Sequence, residues 1–248
     1  MSRGDGETEV VAFFRARFRA AGDAADAAAQ KAYMKSALRF HGVVAATVRA
    51  ACAEYCRAHA LDHVALRGAV DALYATDWFD LRSAAVGLLE RRRALITTAD
   101  AAWLIGLVRA SACWAHVDWL ATKIVPRALP PDPARLLRRW ARDRDFWVRR
   151  TALLATLDEL RAGRGDFDLF AELAAPLLGE REFFIRKAIG WVLRDVSRRR
   201  PELTFAFVKA HALQMSGLTY REATRRLPAS MRAKLPPRPV AKRRELTT

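Results

Sequence analysis

Cysteine is scarce in this 248-residue chain, with only Cys52, Cys56 and Cys113. An odd handful of thiols cannot form a disulfide framework, and the N-terminal MSRGDGETEV has no apolar signal core. Together these predict reduced thiols in a cytoplasmic protein. Nowhere does an apolar run approach the roughly 18 residues of a membrane-spanning helix, so no membrane partner is expected. Glycine (12) and proline (10) sit mostly at junctions between periodic segments. There is no Gly-rich phosphate loop, no catalytic Ser or Cys motif and no HExxH, which removes the common nucleotide-hydrolysing, acyl-transfer and zinc-peptidase classes. Strand-type alternation is not sustained anywhere.

Acids are also in short supply, 27 against 43 basic residues, giving a formal charge of +16. Of the basic residues, 36 are arginine, whose planar fork suits phosphate. The tail from Pro236, PPRPVAKRRELTT, carries four cations and one acid, so most of the charge belongs to the body. That tail cannot bury anything and is expected to be a disordered basic extension over 236–248, following a single domain over 1–235. A body this basic favours nucleic acid or another anionic surface.

Almost everything else carries helical periodicity. Helices are expected at about 8–20, 24–38, 43–59, 62–74, 77–94, 99–109, 114–128, 132–142, 145–161, 166–178, 182–198, 201–213 and 219–227. The most informative is FFIRKAIGWVLRDVSRRR at 183–200. Ile185, Ile189, Val192 and Val196 form one apolar stripe, while Lys187, Trp191, Arg194 and Arg198 repeat the same steps on roughly the opposite face. A large aromatic among fixed cations suits a polyanion with something flat or sugar-like to pack on.

The chain also repeats itself. Leu81-Arg82-Ser83-Ala84-Ala85, Val148-Arg149-Arg150-Thr151-Ala152 and Ile185-Arg186-Lys187-Ala188-Ile189 share one pattern, each preceded by aromatics. The last two copies are 37 residues apart; the first two are 67 apart, leaving room for a divergent copy near Trp114. A period in the mid-thirties with two helices per unit predicts an all-α, HEAT-like α-helical repeat solenoid, an α-α superhelix with a concave basic groove.

Three sets of residues could carry chemistry. Trp114 and Asp118 are four apart on one helix and share a face. Asp118 has no Lys or Arg three or four residues away, so this carboxylate in an apolar helix of a basic protein is either functional or salt-bridged at a distance. Arg150 falls on the apolar stripe of Phe146, Leu153, Leu157 and Leu160, which makes it a groove cation or a structural inter-repeat arginine. Cys52, Cys56, His59 and His63 invite a metal reading. On one continuous helix, at about 1.5 Å per residue, the first and last would stand roughly 16 Å apart, too far for one tetrahedral ion. Buried thiols and surface imidazoles explain them better, and no metal is expected.

Several stretches, in order from about residue 10 to 230, resemble the AlkD family of DNA alkylation-repair glycosylases. They are AYMKSALRFHGV at 32–43, CWAHVD at 113–118, FWVRR at 146–150, FFIRKAIGWVLRD at 183–195 and LTYREATRRL at 218–227. The resemblance implies a monofunctional alkylpurine DNA glycosylase with no cofactor. It would hydrolyse the N-glycosidic bond of cationic 3-alkyladenine and 7-alkylguanine in double-stranded DNA, with bulky antibiotic adducts at the far end of the range, without flipping the base. On the matching positions it makes Asp118 the catalytic carboxylate, Trp114 and Trp191 the aromatics flanking the sugar, Arg150 a grip on the DNA backbone, and Tyr33 an aromatic of the same cleft. Lys187 and Arg194, beside Trp191, are the further DNA-binding candidates. His41 and Ala46 depart from the family pattern, where an apolar residue and proline are usual, and the loop after Pro130 is unusually proline-rich. The protein would act as a monomer and gather on the nucleoid when bound. The alternatives are a non-catalytic HEAT-like nucleic-acid binder and a protein-interaction scaffold, neither of which needs Asp118, Trp114, Arg150 and Trp191 together.

Overall fold

A computed structural model describes residues 8–237. Residues 1–7 and the expected tail beyond Pro237 lie outside it. Among the described residues there is no β-strand, only an isolated bridge between Arg39 and Trp78. No helix is long and apolar enough to cross a membrane. The chain divides after Pro131 into two compact units.

The first unit holds α1 (Glu9–Ala21), α2 (Ala24–Met34), α3 (Ala45–Ala58), α4 (His63–Tyr74), α5 (Phe79–Arg91), α6 (Ala101–Ala110) and α7 (Trp114–Trp119). The second holds α8 (Ala134–Ala141), α9 (Phe146–Leu154), α10 (Leu157–Arg161), α11 (Phe167–Ala174), α12 (Phe183–Val196), α13 (Pro201–His211), α14 (Gly217–Thr224) and α15 (Ala229–Arg232). Short 3₁₀ turns lie between several of them.

The repeat is written in the side-chain bonds. In all three copies the first motif residue, Leu81, Val148 or Ile185, is fully buried. The arginine that follows turns back to a backbone carbonyl six residues upstream: Arg82 to Thr76, Arg149 to Asp143, Arg186 to Glu180. The third position reaches forward into the next repeat. Ser83 meets His116, Arg150 donates to the Phe184 carbonyl, and Lys187 pairs with Glu222. Other ties have similar reach, among them His63–Asp100, Tyr74–Ser111, Arg138–Glu172 and Arg161–Asp195. Within each unit, aromatic stacking follows the same step. Phe40 stacks on Phe79 at 4.6 Å, Phe79 lies 4.5 Å from His116, and Trp147 lies 4.8 Å from Phe184. His116 therefore fills the aromatic position of the divergent copy, 37 residues after Phe79.

Two expected helices are interrupted. The one over 114–128 is α-helical only through Trp119, then widens into a π-helix at Leu120–Ile124 and tightens into a 3₁₀ turn at Val125–Ala128. Pro126, just inside that turn, lacks an amide donor and favours the change of pitch. The helix over 145–161 breaks at residues 155–156. α2 ends at Met34, four residues early, because Lys35 adopts the left-handed conformation at φ +49°.

The segment after α2, which carries His41, seats that helix. His41 is buried because its backbone N–H donates to the buried Asp80 carboxylate at 2.6 Å, and its ring lies on Trp78 at 3.8 Å. An apolar side chain could stack there but would leave Asp80 with less to bind. Gly42 has φ +80°, and a Cβ on it would fall 2.0 Å from the Asp23 carbonyl oxygen. At Gly22 a Cβ would fall 2.2 Å from the His41 carbonyl oxygen. The backbone thus passes against the start of α2 with no room for side chains, whereas Ala46, in the first turn of α3, simply continues the helix. Gly42→Ala combines left-handed strain with a backbone clash. We expect it to destabilise the fold by about 2–4 kcal/mol, read as a drop in Tm of roughly 4–15 °C in a thermal melt.

Candidate functional site

In the first unit, α7 is the element to build from. Cys113 caps its N-terminus in extended conformation, and Ala112 before it has φ +49°. Lys35 and Ala112 are the two non-glycine residues with positive φ among those described, and each stands two positions from a candidate site aromatic, Tyr33 or Trp114. For an L-residue this conformation costs about 1–2 kcal/mol, and such strain collects where a site constrains the chain. The π-helix that follows Trp119 is likewise a local departure found often at functional sites.

The sequence placed Trp114 and Asp118 on one face, and the helix carries both, half-buried, one turn apart. Tyr33, 71% exposed at the end of α2, meets Trp114 edge-to-face with ring centroids 5.9 Å apart. α2 buries none of its own residues. A largely apolar cavity of about 360 Å³ lies between α2, α3, α5 and α7, so Tyr33 is held chiefly by its neighbours at the surface. The buried side of α7 is His116, bonded to Ser83 at 2.9 Å and tilted against the Phe79 ring. Burial, aided by the nearby Arg82 charge, pushes its pKa down to about 4, so it stands neutral at pH 7. Next along, the Trp119 indole N–H donates to Glu90 at 3.1 Å.

The metal-like set does not assemble as a group. The chain turns at residues 59–62 instead of continuing as one helix. Cys52 is buried against the Ala84 carbonyl with its thiol pushed up to about 12, chiefly by burial. His59 stacks on Tyr55, and His63 bonds Asp100 at 2.8 Å.

In the second unit, α12 behaves as its pattern predicts on one side: Ile185, Ile189, Val192 and Val196 are fully buried. Its other side is wired more tightly than the sequence suggests. Trp191 donates its indole N–H to Asp195 at 3.1 Å, and Asp195, 5% exposed, also accepts two bonds from Arg161 at 2.7 and 2.9 Å. The Trp191 ring is thereby oriented, and its N–H is already used. Lys187 and Arg194 share one carboxylate, Glu222 on α14. Gly190 makes this possible, since a Cβ there would stand 2.5 Å from Glu222 Cβ. Burial raises the Glu222 pKa, but the Lys187 hydrogen bond and the charges of Arg194, Lys187 and Arg225 outweigh it and hold the carboxyl below its ordinary range. Arg150 is 2% exposed and donates to the Phe184 carbonyl while lying over the Phe184 ring at 5.8 Å. Asp195 and Glu222 were not singled out from the sequence. The signal for Asp195 was available, four residues beyond Trp191 on the same helix face; the pairing of Glu222 with Lys187 depends on tertiary packing.

The sequence pattern of the DNA alkylation repair enzymes matches residues 14–227. The chain belongs to this family. Nothing among curated proteins matches this repair-family chain. Its fold resembles a solved structure described as a predicted DNA alkylation repair enzyme from Enterococcus faecalis, with 24% identity and a TM-score of 0.75. The match covers 84% of this chain and 97% of that one. That likeness places the all-helical repeat architecture, and the family match supports a role in alkylation repair, with DNA as the material acted on.

Two outcomes test how the site of this repair-family protein is held. A buried His that stays neutral in the fold takes up its proton only on unfolding, so stability is full above about pH 6.5 and declines as pH falls toward 4. Over that window the loss is on the order of 3 kcal/mol, and a His116→Gln variant should show a flatter dependence in denaturant titrations at stepped pH. Asp195→Ala leaves the Trp191 N–H unpaired and strips Arg161 of its two shortest bonds, leaving it only Asp158 at 3.3 Å, and should cost about 2–4 kcal/mol, against about 1 kcal/mol for Trp191→Phe, which keeps the ring.

Proposed function

We propose that this chain is a monofunctional DNA glycosylase that hydrolyses the N-glycosidic bond of cationic alkylated purines in duplex DNA. The observation that carries the reading is the half-buried Asp118 carboxylate, one helical turn from Trp114, whose ring is met by the exposed Tyr33, in a chain of the alkylation repair family. An alkylated purine already bears positive charge and leaves readily, so the reaction needs no general acid. It needs stabilisation of an oxocarbenium-like sugar and a positioned water, as in glycoside hydrolysis. Asp118 supplies the negative charge. At about 4 Å and an effective dielectric near 20, opposite charges gain roughly 4 kcal/mol before desolvation, enough for about a thousandfold in rate. The Trp114 face adds cation–π stabilisation and excludes water from one side of the sugar.

The resemblance assigns Trp191 the second flanking aromatic and Arg150 a grip on the DNA backbone. The Trp191 role is consistent with a ring whose N–H is satisfied by Asp195, leaving its face for the sugar. For Lys187 and Arg194, the shared Glu222 implies a supporting part in DNA binding, with charge offered to phosphate only beyond what that carboxylate neutralises. In this reading the enzyme uses no metal or cofactor, acts as a monomer in the bacterial cytoplasm, and acts on 3-alkyladenine and 7-alkylguanine without flipping the base from the stack.

Asp118→Asn keeps the size of the side chain and removes its charge. With methylated duplex DNA followed by alkali, we expect single-turnover base release to fall at least about a hundredfold while duplex affinity is kept or slightly improved. Release at the parental rate would overturn the mechanism. A parent protein that binds duplex yet releases no base would leave a non-catalytic binder.

A further inference from the structure

α3 and α5 enclose a second feature in the first unit, a hollow of about 230 Å³ lined by Arg49, Arg91, Arg93, Glu90 and Trp119, with Cys52 and Gly87 at its floor. Arg49 projects from α3, Arg91 ends α5, and Arg93 opens the 3₁₀ turn that follows. All three are exposed. Among the described residues none of the three guanidinium groups has a carboxylate partner, unlike Arg138, Arg149, Arg161 and Arg194, each of which has one. Their contact with one another is a long bond from Arg91 to the Arg49 carbonyl at 3.4 Å. Arg92, between the last two, is turned away to the Cys56 carbonyl at 2.8 Å, so the triplet is divided between one structural cation and two that line the hollow.

The single acid of the hollow is already engaged, since Glu90 accepts the Trp119 N–H. The floor is kept open by Gly87, where a Cβ would fall 2.7 Å from Cys52 Sγ. That thiol is no anion, because burial holds it protonated. Three cations and one acid leave a net charge of about +2 around a space that fits one phosphate group and a few waters. The C-terminal end of α5 offers only about half a negative charge against this. Guanidinium forks converging on an open, undercompensated hollow form a receptor for a tetrahedral oxyanion.

We propose that Arg49, Arg91 and Arg93 grip a backbone phosphodiester of duplex DNA. This rests on the function proposed above. The hollow's wall, Trp119, is the residue next to Asp118, so the grip stands at a fixed offset from that carboxylate. A phosphate held at that offset fixes the register of the duplex against α7 and carries no sequence preference, as a repair protein acting at scattered lesions requires.

The test uses the full chain and an undamaged duplex, so that it does not depend on base release. Affinity is measured across a salt series for the parent and for the Arg49→Ala/Arg91→Ala/Arg93→Ala variant, with folding checked by helical circular dichroism and melting. Losing one phosphate contact should lower the slope of log affinity against log salt by about 0.9 and weaken binding roughly tenfold near physiological salt. Arg93→Ala alone, an exposed single change, should move affinity in the same direction and serves if the triple variant misfolds. An unchanged slope in a folded variant that still releases base would overturn the phosphate grip and leave the glycosylase reading standing. A parent that does not bind duplex at all would overturn both.

Discussion

The structure depends on polar side chains that reach from one repeat into the next. Helix pairs in a repeat protein bury one another's apolar faces, but apolar contact is non-directional and permits sliding. Arg150 on the Phe184 carbonyl, Arg161 on Asp195, Lys187 on Glu222 and Tyr74 on Ser111 each fix one register, because a shift of one residue would leave a buried or half-buried group unpaired. The same constraint explains why so many arginines in so basic a chain are not available to a ligand. The arginine after the first motif residue is bonded to a carbonyl six residues upstream in every copy, with Arg82 and Arg149 also reaching Ala110 and Glu180, and the third position is consumed by the neighbouring repeat.

Against that background α7 stands out as the place where the pattern lapses. It is six residues long, begins beside a strained Ala112, and passes directly into a π-helix. His116 substitutes for the aromatic that other repeats place at this step, and its bond to Ser83 replaces an arginine or lysine tie. The helix is thus anchored by a neutral ring on its inner side, which leaves Trp114 and Asp118 on another face.

Much of this was legible in the sequence, for physical reasons that can be named. The stripe of Ile185, Ile189, Val192 and Val196 forecast the buried side of α12 because helical periodicity is local. The three motif copies forecast repeats because the same packing problem recurs every thirty-odd residues. The pairing of Trp114 with Asp118 on one face follows from a spacing of four. What could not be read was anything set by tertiary contact. Glu222 reaches Lys187 and Arg194 only because Gly190 lets α14 approach, and Tyr33 meets Trp114 only because Gly22 and Gly42 admit a backbone crossing. The break in the helix expected over 114–128 was signalled by Pro126, but the widening before it was not, since no residue type specifies a π turn.

α2 has a further consequence. It buries no residue, spans a void, and is tethered by a helix cap at Asp23, a Gln30 bond to the Val43 carbonyl and the glycine crossing. Its detachment therefore costs little compared with unfolding the unit, so its amides should exchange with solvent long before those of α5 or α12. Tyr33 rides on the least committed helix of its unit. The edge-to-face contact it makes with Trp114 is therefore the adjustable one, able to open while α7 keeps its place.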